Sequence, residues 1–203
     1  ASWERVLKRL LDVAGAAACL VLAAPFLLYA ALRTRREIGG PVIFRQTRVG
    51  FQGRSFTILK LRAVGAGEGP DPRFCDFLRA YSLDEIPQLW NVLRGEMSLV
   101  GPRPETPERV RRYNPWNRRR LQVKPGITGL AQISGVRGEH DFDTKSRYDV
   151  LYLEQQSLLL DLRILLKHKR NPGAGTTDCL TRLKWIGVVL EQNGWRWNLG
   201  EKR

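Results

Sequence analysis

The most prominent hydropathy feature is an uncharged apolar run near the start of the sequence. Val13 to Leu32 carries no charged residue over twenty positions, and a helix needs about 20 residues to cross the hydrocarbon core of a membrane. Pro25 interrupts the run, where it removes a helical hydrogen bond and bends the axis. Basic residues flank both ends: Arg5, Lys8, Arg9, Arg33, Arg35 and Arg36. The positive-inside rule then gives no orientation unless both ends stay on the cytoplasmic side. The pattern favours a re-entrant membrane helix, with a spanning helix as the alternative.

Shorter patterns follow the apolar run and predict a mixed domain. PVIF and SFTILKLR have strand character, and RVGFQG between them predicts a β-hairpin. We expect a short helix over Phe74 to Ala80 and a long one from Thr144 to Lys167. An amphipathic helix ending at Gly95 is predicted by apolar residues at helical spacing, namely Ile86, Leu89, Trp90 and Leu93. The predicted fold class is α/β and helix-rich, with one β-hairpin and amphipathic interfacial helices.

The charge balance changes this picture, because it implies a polyanionic partner. The chain has 34 Lys and Arg residues against 20 Asp and Glu residues, a net charge of +14. Nucleic acid, an anionic membrane face and phosphorylated substrates would all fit such a charge. The three cysteines lack the spacing of metal ligands, and only two histidines are present. These counts argue against a disulfide framework and against a histidine-based site.

Two adjacent acids, Asp84 and Glu85, stand out in the stretch SLDEIPQLWNVLRG. Proline is tolerated only in the first turn of a helix, so Pro87 predicts a helix that begins at Asp84 or Glu85. The positive end of the helix dipole then favours the ionised carboxylates. Such a carboxylate can attack phosphorus or bind a divalent cation through oxygen. The structural alternative is plain capping of the helix by Ser82 or Asp84.

Cations and glycines cluster in short segments on both sides of these acids. They are Lys60, Arg62, Arg73, Arg79, Arg103, Lys124 and Gly126. Phosphoryl transfer requires such charge around the non-bridging oxygens, and it commonly uses a metal for the leaving phosphate. The combination therefore indicates phosphoryl-transfer chemistry.

The strings SLDEIPQLWNVLRGEMSLVGPRPE and VKPGITGLAQISG closely resemble the bacterial sugar transferases. These enzymes are the monotopic polyprenyl-phosphate phosphoglycosyl transferases, also described as undecaprenyl-phosphate sugar phosphotransferases. Supporting stretches include KRLLDV, GPVIFRQTRVG, FTILKLR and YDVLYLEQQSLLLDLRILLK. The resemblance extends from about Lys8 to Lys167.

This resemblance implies a reaction and a set of roles. A sugar-1-phosphate passes from a nucleotide-sugar, usually a UDP-sugar, to polyprenyl phosphate, with release of UMP and with Mg²⁺ as cofactor. Asp84 matches the nucleophile of a ping-pong mechanism with a covalent phosphosugar intermediate. Glu85 matches the second acid, which with Asp84 would hold the metal or handle a proton. Asp149 matches an acid near the site. The matching cations, which would contact phosphates, are Lys60, Arg62, Arg79 and Arg103; Lys124 joins them by its place in the cluster.

The resemblance also implies a place for the protein in the cell. It predicts the bacterial inner membrane, with the site on the cytoplasmic face, where membrane lipid, nucleotide-sugar and polyprenyl phosphate meet, and it predicts no nucleic-acid partner. A homodimer is the default expectation. The expected domains are a membrane helix over 1–36, a catalytic domain over 37–170 and an amphipathic extension over 171–203.

Some positions depart from the family pattern. The helix break is Ala24-Pro25 instead of Ser-Pro, the second strand continues as KLRAV, and the segment between DPR and FLR is short. These departures leave open a degenerate relative that serves as a membrane scaffold. The net charge of +14 leaves open a second alternative, a membrane-tethered protein that binds nucleic acid. The second lacks a recognisable nucleic-acid-binding pattern.

Overall fold

The computed structural model describes residues 2–38, 40–63, 72–136 and 142–168. All of them belong to one compact unit, Ala1–Gly173. The strands in this part of the chain are β1 (Ile43–Val49), β2 (Ser55–Leu61), β3 (Ser98–Val100) and β4 (Gly126–Thr128). The helices are α1 (Ser2–Ile38), α2 (Pro72–Ala80), α3 (Gln88–Leu93), α4 (Pro107–Arg111), α5 (Pro115–Arg118), α6 (Leu130–Ile133), α7 (Phe142–Gln155) and α8 (Leu158–His168). The C-terminal extension predicted over 171–203 lies outside the described residues.

The apolar run forms α1, which is helical without interruption through Pro25. Among the described residues it is the one helix long and apolar enough to cross a membrane by length and composition. One side of α1 packs on the rest of the unit, where Ala16 and Ala30 are fully buried. The opposite side is apolar and exposed along its length; its large residues are Trp3, Val6, Leu7, Leu10, Leu11, Val21, Leu22, Leu28, Tyr29 and Leu32. We call these residues the outer face of α1.

Polar contacts fasten the first turns of α1 to the body. Lys8 Nζ lies 2.5 Å from Asp161 Oδ2 in α8. Arg9 donates to the carbonyls of Val92 and Leu93 at 2.6 and 2.9 Å, at the end of α3, where the last carbonyls of a helix accept cationic donors well. Asp12, which is buried, accepts hydrogen bonds at 3.0 Å from Ser98 Oγ and from the Leu99 amide. The sequence alone indicates only that Lys8 and Arg9 flank the apolar run, and these contacts could not be predicted from it.

The other half of α1 is held on the same unit. Ala30 packs in a cluster with Leu61, Phe74 and Leu78, and the Arg33 guanidinium lies 4.2 Å from the centre of the Phe74 ring. Both ends of the apolar helix therefore contact one body.

The strands form two small sheets within the described residues. β1 and β2 pair antiparallel from Ile43↔Leu61 to Val49↔Ser55, which confirms the predicted hairpin. β3 and β4 pair parallel, and their flanking backbones approach closely. A Cβ on Gly126 would stand 2.1 Å from the Gly101 nitrogen, so no larger residue fits there. The loop that follows β3 carries Arg103, and it lies beside the hairpin, where Glu105 pairs with Val49 at the end of β1.

Two helix predictions are corrected by the structure. The long helix predicted from Thr144 to Lys167 is instead α7 and α8, separated by Gln156 and Ser157. The hydroxyl of Ser157 accepts a hydrogen bond from the Leu160 amide at 3.2 Å, so this residue caps α8 while the apolar spacing continues across the break.

The second correction concerns the face of α3. Trp90 was predicted to be part of the buried stripe, but it is 53% exposed, while Asn91 is fully buried. The Asn91 amide donates to the Thr57 carbonyl at 2.7 Å and accepts from the Leu59 amide at 3.2 Å. A polar side chain thus pairs with the free edge of β2, and it turns Trp90 outward.

Candidate active site

Asp84 and Glu85 lie in a 3₁₀ turn, Leu83–Glu85, between α2 and α3. The prediction that the α-helix begins at one of these acids is wrong, because α3 begins at Gln88, after Pro87. Plain capping of the helix by Ser82 or Asp84 is wrong as well. Ser82 makes no side-chain cap hydrogen bond, Asp84 lies inside the 3₁₀ turn, and the residue at the cap position of α3 is Pro87. Ser82 has a φ of +55°, a left-handed conformation that is uncommon outside glycine. The acids are therefore presented by a sharp turn and not by a helix end.

Glu85 is held by two cations from different parts of the fold. Lys60 Nζ on β2 donates to Glu85 Oε1 at 2.8 Å. The Arg103 guanidinium spans both carboxylate oxygens, at 2.5 and 3.3 Å. Burial alone would raise the pKa of Glu85, but Arg103 and Lys60 outweigh it and lower that pKa to about 2. Glu85 is thus a fixed anion at any physiological pH.

Asp84 is in a different situation, although it is the adjacent residue. Its side chain is half-buried, and no hydrogen bond or ion pair joins its carboxylate to another side chain in the described ranges. Burial and the neighbouring Glu85 charge raise the pKa of Asp84, against the opposing effect of Lys60. The expectation of a helix dipole that favours the ionised form fails here, because α3 starts four residues later. A carboxylate with a raised pKa is also the more basic and more nucleophilic one.

A cavity of about 640 Å³ opens beside the turn. Both acids line it, together with Arg79 and Arg103 among the predicted phosphate-binding cations. Its apolar wall is formed by Leu83, Ile86, Leu89, Ile127 and Val136. Lys60 reaches this site through Glu85. The cavity is of the size that small-molecule sites have, with polar groups converging on one wall.

Besides Lys60, three more of the predicted site residues are not among those that line this cavity. Arg62 follows β2 and pairs through its amide with the Val42 carbonyl at 2.8 Å. Lys124 lies near Arg9 on the α1 side; burial and Arg9 lower its pKa. Asp149 is buried and pairs with Arg120 at 2.6 Å. Their substrate-binding roles stay predictions.

A buried ionic network backs the cavity, and the residue patterns did not single it out. Glu105 pairs with Lys145 and Arg109, and Arg120 is 3.7 Å from the same carboxylate. Arg120 also donates to the Arg103 carbonyl at 2.9 Å, so Asp149 is connected to the Arg103 backbone through Arg120. The quoted string GPRPE contains Glu105, but nothing in the sequence indicates its partner 40 residues away.

Mg²⁺, the cofactor that the resemblance implies, would need oxygen ligands from the residues of this site. Within the described part of the chain there is no group of three or more His, Cys, Asp or Glu residues that could hold a metal. Asp84 and Glu85 supply two carboxylates. This set fits Mg²⁺, which commonly uses one or two carboxylates and completes its shell with water and substrate phosphate.

The sequence model of the family described as "Bacterial sugar transferase" matches residues 3–171. A UDP-glucose:undecaprenyl-phosphate glucose-1-phosphate transferase of Caulobacter vibrioides is 45% identical over 190 residues, covering 84% of this chain and 70% of the relative.

Two further relatives are longer proteins. A UDP-glucose:undecaprenyl-phosphate glucose-1-phosphate transferase of Escherichia coli is 40% identical, covering 80% of this chain and 39% of the relative. An undecaprenyl-phosphate galactose phosphotransferase of Salmonella typhimurium is 36% identical, covering 81% of this chain and 40% of the relative. The chain thus matches less than half the length of these two relatives.

Proposed function

The chain belongs to the bacterial sugar transferase family, and on this premise we propose that it is a phosphoglycosyl transferase that moves a sugar-1-phosphate from a UDP-sugar to undecaprenyl phosphate. The products are a polyprenyl-diphospho-sugar and UMP. The reactions named for the Caulobacter and Escherichia relatives support the donor and the acceptor. The reaction would be the first membrane step of glycan assembly.

The observation that carries the proposed mechanism is the contrast between the two acids. Glu85 is fixed by Lys60 and Arg103, whereas Asp84 lines the cavity with a raised pKa and without a cationic partner in the described ranges. An acid that serves only to hold structure would be paired as Glu85 is. A nucleophile has to keep a lone pair directed at the substrate, which suits Asp84.

The proposed reaction has two steps. An oxygen of the Asp84 carboxylate bonds to the sugar-bearing phosphorus, and the bond from that phosphorus to the bridging oxygen breaks. The electron pair stays on the bridging oxygen, which leaves as a terminal oxygen of UMP. The phosphate of undecaprenyl phosphate then attacks the phosphosugar–enzyme and releases the Asp84 carboxylate.

The residues around Asp84 would prepare both steps. Arg103 and Lys60 lie on the Glu85 carboxylate, and they bring positive charge to the wall where the diphosphate must be bound. The apolar wall excludes water, which would otherwise hydrolyse the phosphosugar intermediate. Asp84 and Glu85 are the residues that would hold Mg²⁺, and the bound ion would neutralise charge on the diphosphate.

The contacts of α1 support a membrane position without a complete crossing. Lys8, Arg9 and Asp12 tie one half of the helix to the body, and Ala30 and Arg33 tie the other half to the same body. A helix that crossed the bilayer would have its two ends on opposite sides. We therefore propose that α1 inserts by its outer face, in a re-entrant or interfacial manner, with the site on the cytoplasmic face of the inner membrane, where nucleotide-sugars are available.

The covalent step can be tested by intact mass after incubation with UDP-sugars in the absence of acceptor. The parent protein is expected to gain the mass of one phosphosugar and to release UMP, and Asp84→Asn is expected to do neither. Asp143→Asn, the same change at an exposed position of α7, is the matched control and should behave like the parent. An adduct on Asp84→Asn would rule out this nucleophile. A parent that releases no UMP from any UDP-sugar would favour the scaffold alternative.

A further inference from the structure

The cavity beside Asp84 has a cationic wall, and nearly all of its charges are already paired. The basic residues that line it are Arg48, Arg79, Arg103, Arg109 and Lys145. Arg79 pairs with Asp76 at 2.7 Å, and Arg103 pairs with Glu85. Arg109 and Lys145 both pair with Glu105. These contacts account for four of the five cations.

Arg48 is different from the other four. It lies near the end of β1, and its Nη2 donates to Gln46 Oε1 at 2.6 Å. No carboxylate lies within ion-pair distance of it in the described ranges, and its Nε is buried without a hydrogen-bond partner. Burial lowers the pKa of Arg48; the nearby Arg103 and Arg109 lower it further, although Glu105 opposes them. An unpaired, partly desolvated guanidinium costs free energy, and it stays charged at physiological pH.

We infer that Arg48 binds the phosphate of the nucleoside monophosphate that leaves, next to the phosphorus that Asp84 attacks. This inference rests on the proposed function. The sugar-bearing phosphate has to reach Asp84, which lines the cavity together with Arg103, and the second phosphate of the donor is only one bridging oxygen away. The second phosphate therefore falls inside the same cavity, where Arg48 is the lining cation without a carboxylate at ion-pair distance in the described ranges.

The chemistry of the first step gives Arg48 its role. When the bond between the attacked phosphorus and the bridging oxygen breaks, the electron pair remains on that oxygen. The leaving phosphate thereby gains negative charge in the transition state and in the product. A guanidinium binds such an oxyanion with two donors, with stronger hydrogen bonds than neutral donors make. Arg48 thus contacts the leaving group, whereas Arg103, which lines the cavity with Asp84, is placed at the attacked phosphate.

The test compares Arg48→Gln with the parent in detergent or in membranes, with UMP and uridine as inhibitors, and it measures the polyprenyl-diphospho-sugar formed from the accepted UDP-sugar. Arg48→Gln is expected to raise the inhibition constant for UMP about tenfold or more, the usual loss for a charge-assisted hydrogen bond. The inhibition constant for uridine should not change, because uridine has no phosphate. Arg48→Lys keeps the charge but not the fork of donors, so we expect an intermediate value.

Arg45→Gln is the matched control, since Arg45 is also on β1 but is exposed and lines a different cavity. Its inhibition constants for UMP and for uridine should equal those of the parent. Equal weakening of UMP and uridine by Arg48→Gln would indicate a structural role and overturn the inference, as would unchanged inhibition by UMP. If the parent itself releases no UMP, the proposed function fails and this inference falls with it; if the parent releases UMP and only the UMP inhibition test fails, the inference alone is wrong.

Discussion

At the residue scale, Asp84 and Glu85 show how strongly the surroundings can separate the pKa values of two neighbouring carboxyl groups. Glu85 receives two cations, and its pKa falls to about 2. The pKa of Asp84 rises because its carboxyl group is partly buried and lies beside the negative charge of Glu85. Pairs of acids separated in this way often divide their roles, one as a fixed electrostatic group and one as the reacting group.

The first prediction concerns the pH dependence of the reaction. Asp84 has to be ionised to attack, so activity should fall as the pH drops through its raised pKa. Glu85→Gln removes the negative charge beside Asp84, and it leaves the charges of Lys60 and Arg103 without their carboxylate partner. Both effects lower the pKa of Asp84. The acid limb of the profile of kcat/KM against pH should therefore move to lower pH, whatever happens to the maximal rate.

The control for this experiment is Glu154→Gln, which removes a carboxylate paired with Arg119 at the exposed surface. Its acid limb should coincide with that of the parent. An acid limb that stays in place in Glu85→Gln, or that moves to higher pH, would show that a group other than Asp84 controls activity on the acid side.

The identity of the two acids could be predicted from the sequence, but their division of roles could not. Adjacent carboxylates before a proline are visible in SLDEIP. The pKa difference depends on Lys60 and Arg103, which are 25 and 18 residues away from Glu85. Contacts between residues so far apart in the sequence depend on how the hairpin and the parallel pair pack together in the fold. The absence of an ion pair at Arg48 could not be predicted either, because it also depends on tertiary packing.

At the scale of elements, the first turns of α1 act as a polar anchor. Lys8 and Asp161 are 16% and 9% exposed, and the Asp161 carboxylate also accepts the Tyr152 hydroxyl at 2.7 Å. Burial raises the pKa of Asp161, while Lys8 opposes that rise. The pair links α1, α7 and α8 at one point.

The second prediction is that this anchor stabilises the fold. Asp161→Asn leaves the acceptor for Tyr152 but turns an amide towards a poorly solvated Lys8 ammonium. The free energy of unfolding should fall by about 2 kcal/mol, less than for a buried charge left wholly unpaired, because Lys8 loses its nearer carboxylate and keeps Asp12 at 3.9 Å. Denaturant unfolding in detergent measures it.

The same removal of charge at the surface provides the comparison. Arg119 and Glu154 are 40% and 47% exposed, and an exposed pair contributes at most about 1 kcal/mol. Glu154→Gln should therefore unfold close to the parent. Equal stabilities of Asp161→Asn and Glu154→Gln would mean that the pair of Lys8 and Asp161 does not stabilise the fold.

The elements themselves were predictable to different degrees. The hairpin follows from two strand-like runs around a glycine turn, and α2 from a short helical pattern, because these signals are local. The break between α7 and α8 was missed because the cap at Ser157 leaves the apolar spacing intact. The outward position of Trp90 was missed because Asn91 pairs with a strand edge, a contact that no spacing rule describes.

At the scale of the whole molecule, α1 presents an apolar outer face while its inner face packs on the catalytic part of the unit. Val21 and Leu22 lie near the middle of this face and are 73% and 81% exposed. Exposed apolar surface of this extent is typical of a site that contacts a membrane or another protein. The proposed membrane contact predicts where charge would be tolerated least.

The third prediction is that the double variant Val21→Glu and Leu22→Glu releases the protein from membranes and keeps its fold. Two carboxylates in the acyl region are costly, at about 2–3 kcal/mol each on insertion scales, and neither residue packs in the core. Flotation with liposomes measures the bound fraction.

Arg147→Glu alters the net charge by the same amount at an exposed position of α7, so it separates charge from position. It should float with the liposomes like the parent. If the double variant also floats with them, the outer face of α1 is not the membrane contact, and the two-ended attachment of α1 needs another explanation.

Glu85 has a consequence beyond chemistry, because its carboxylate connects the hairpin, through Lys60, to the loop after β3, through Arg103. A saturation screen scored by cellular abundance would therefore reject changes at Glu85, while it would pass many changes at Asp84. A screen scored by glycan output would reject both. Natural chains that have abandoned catalysis would be under the first kind of selection only, so they would keep the glutamate and drift at the aspartate.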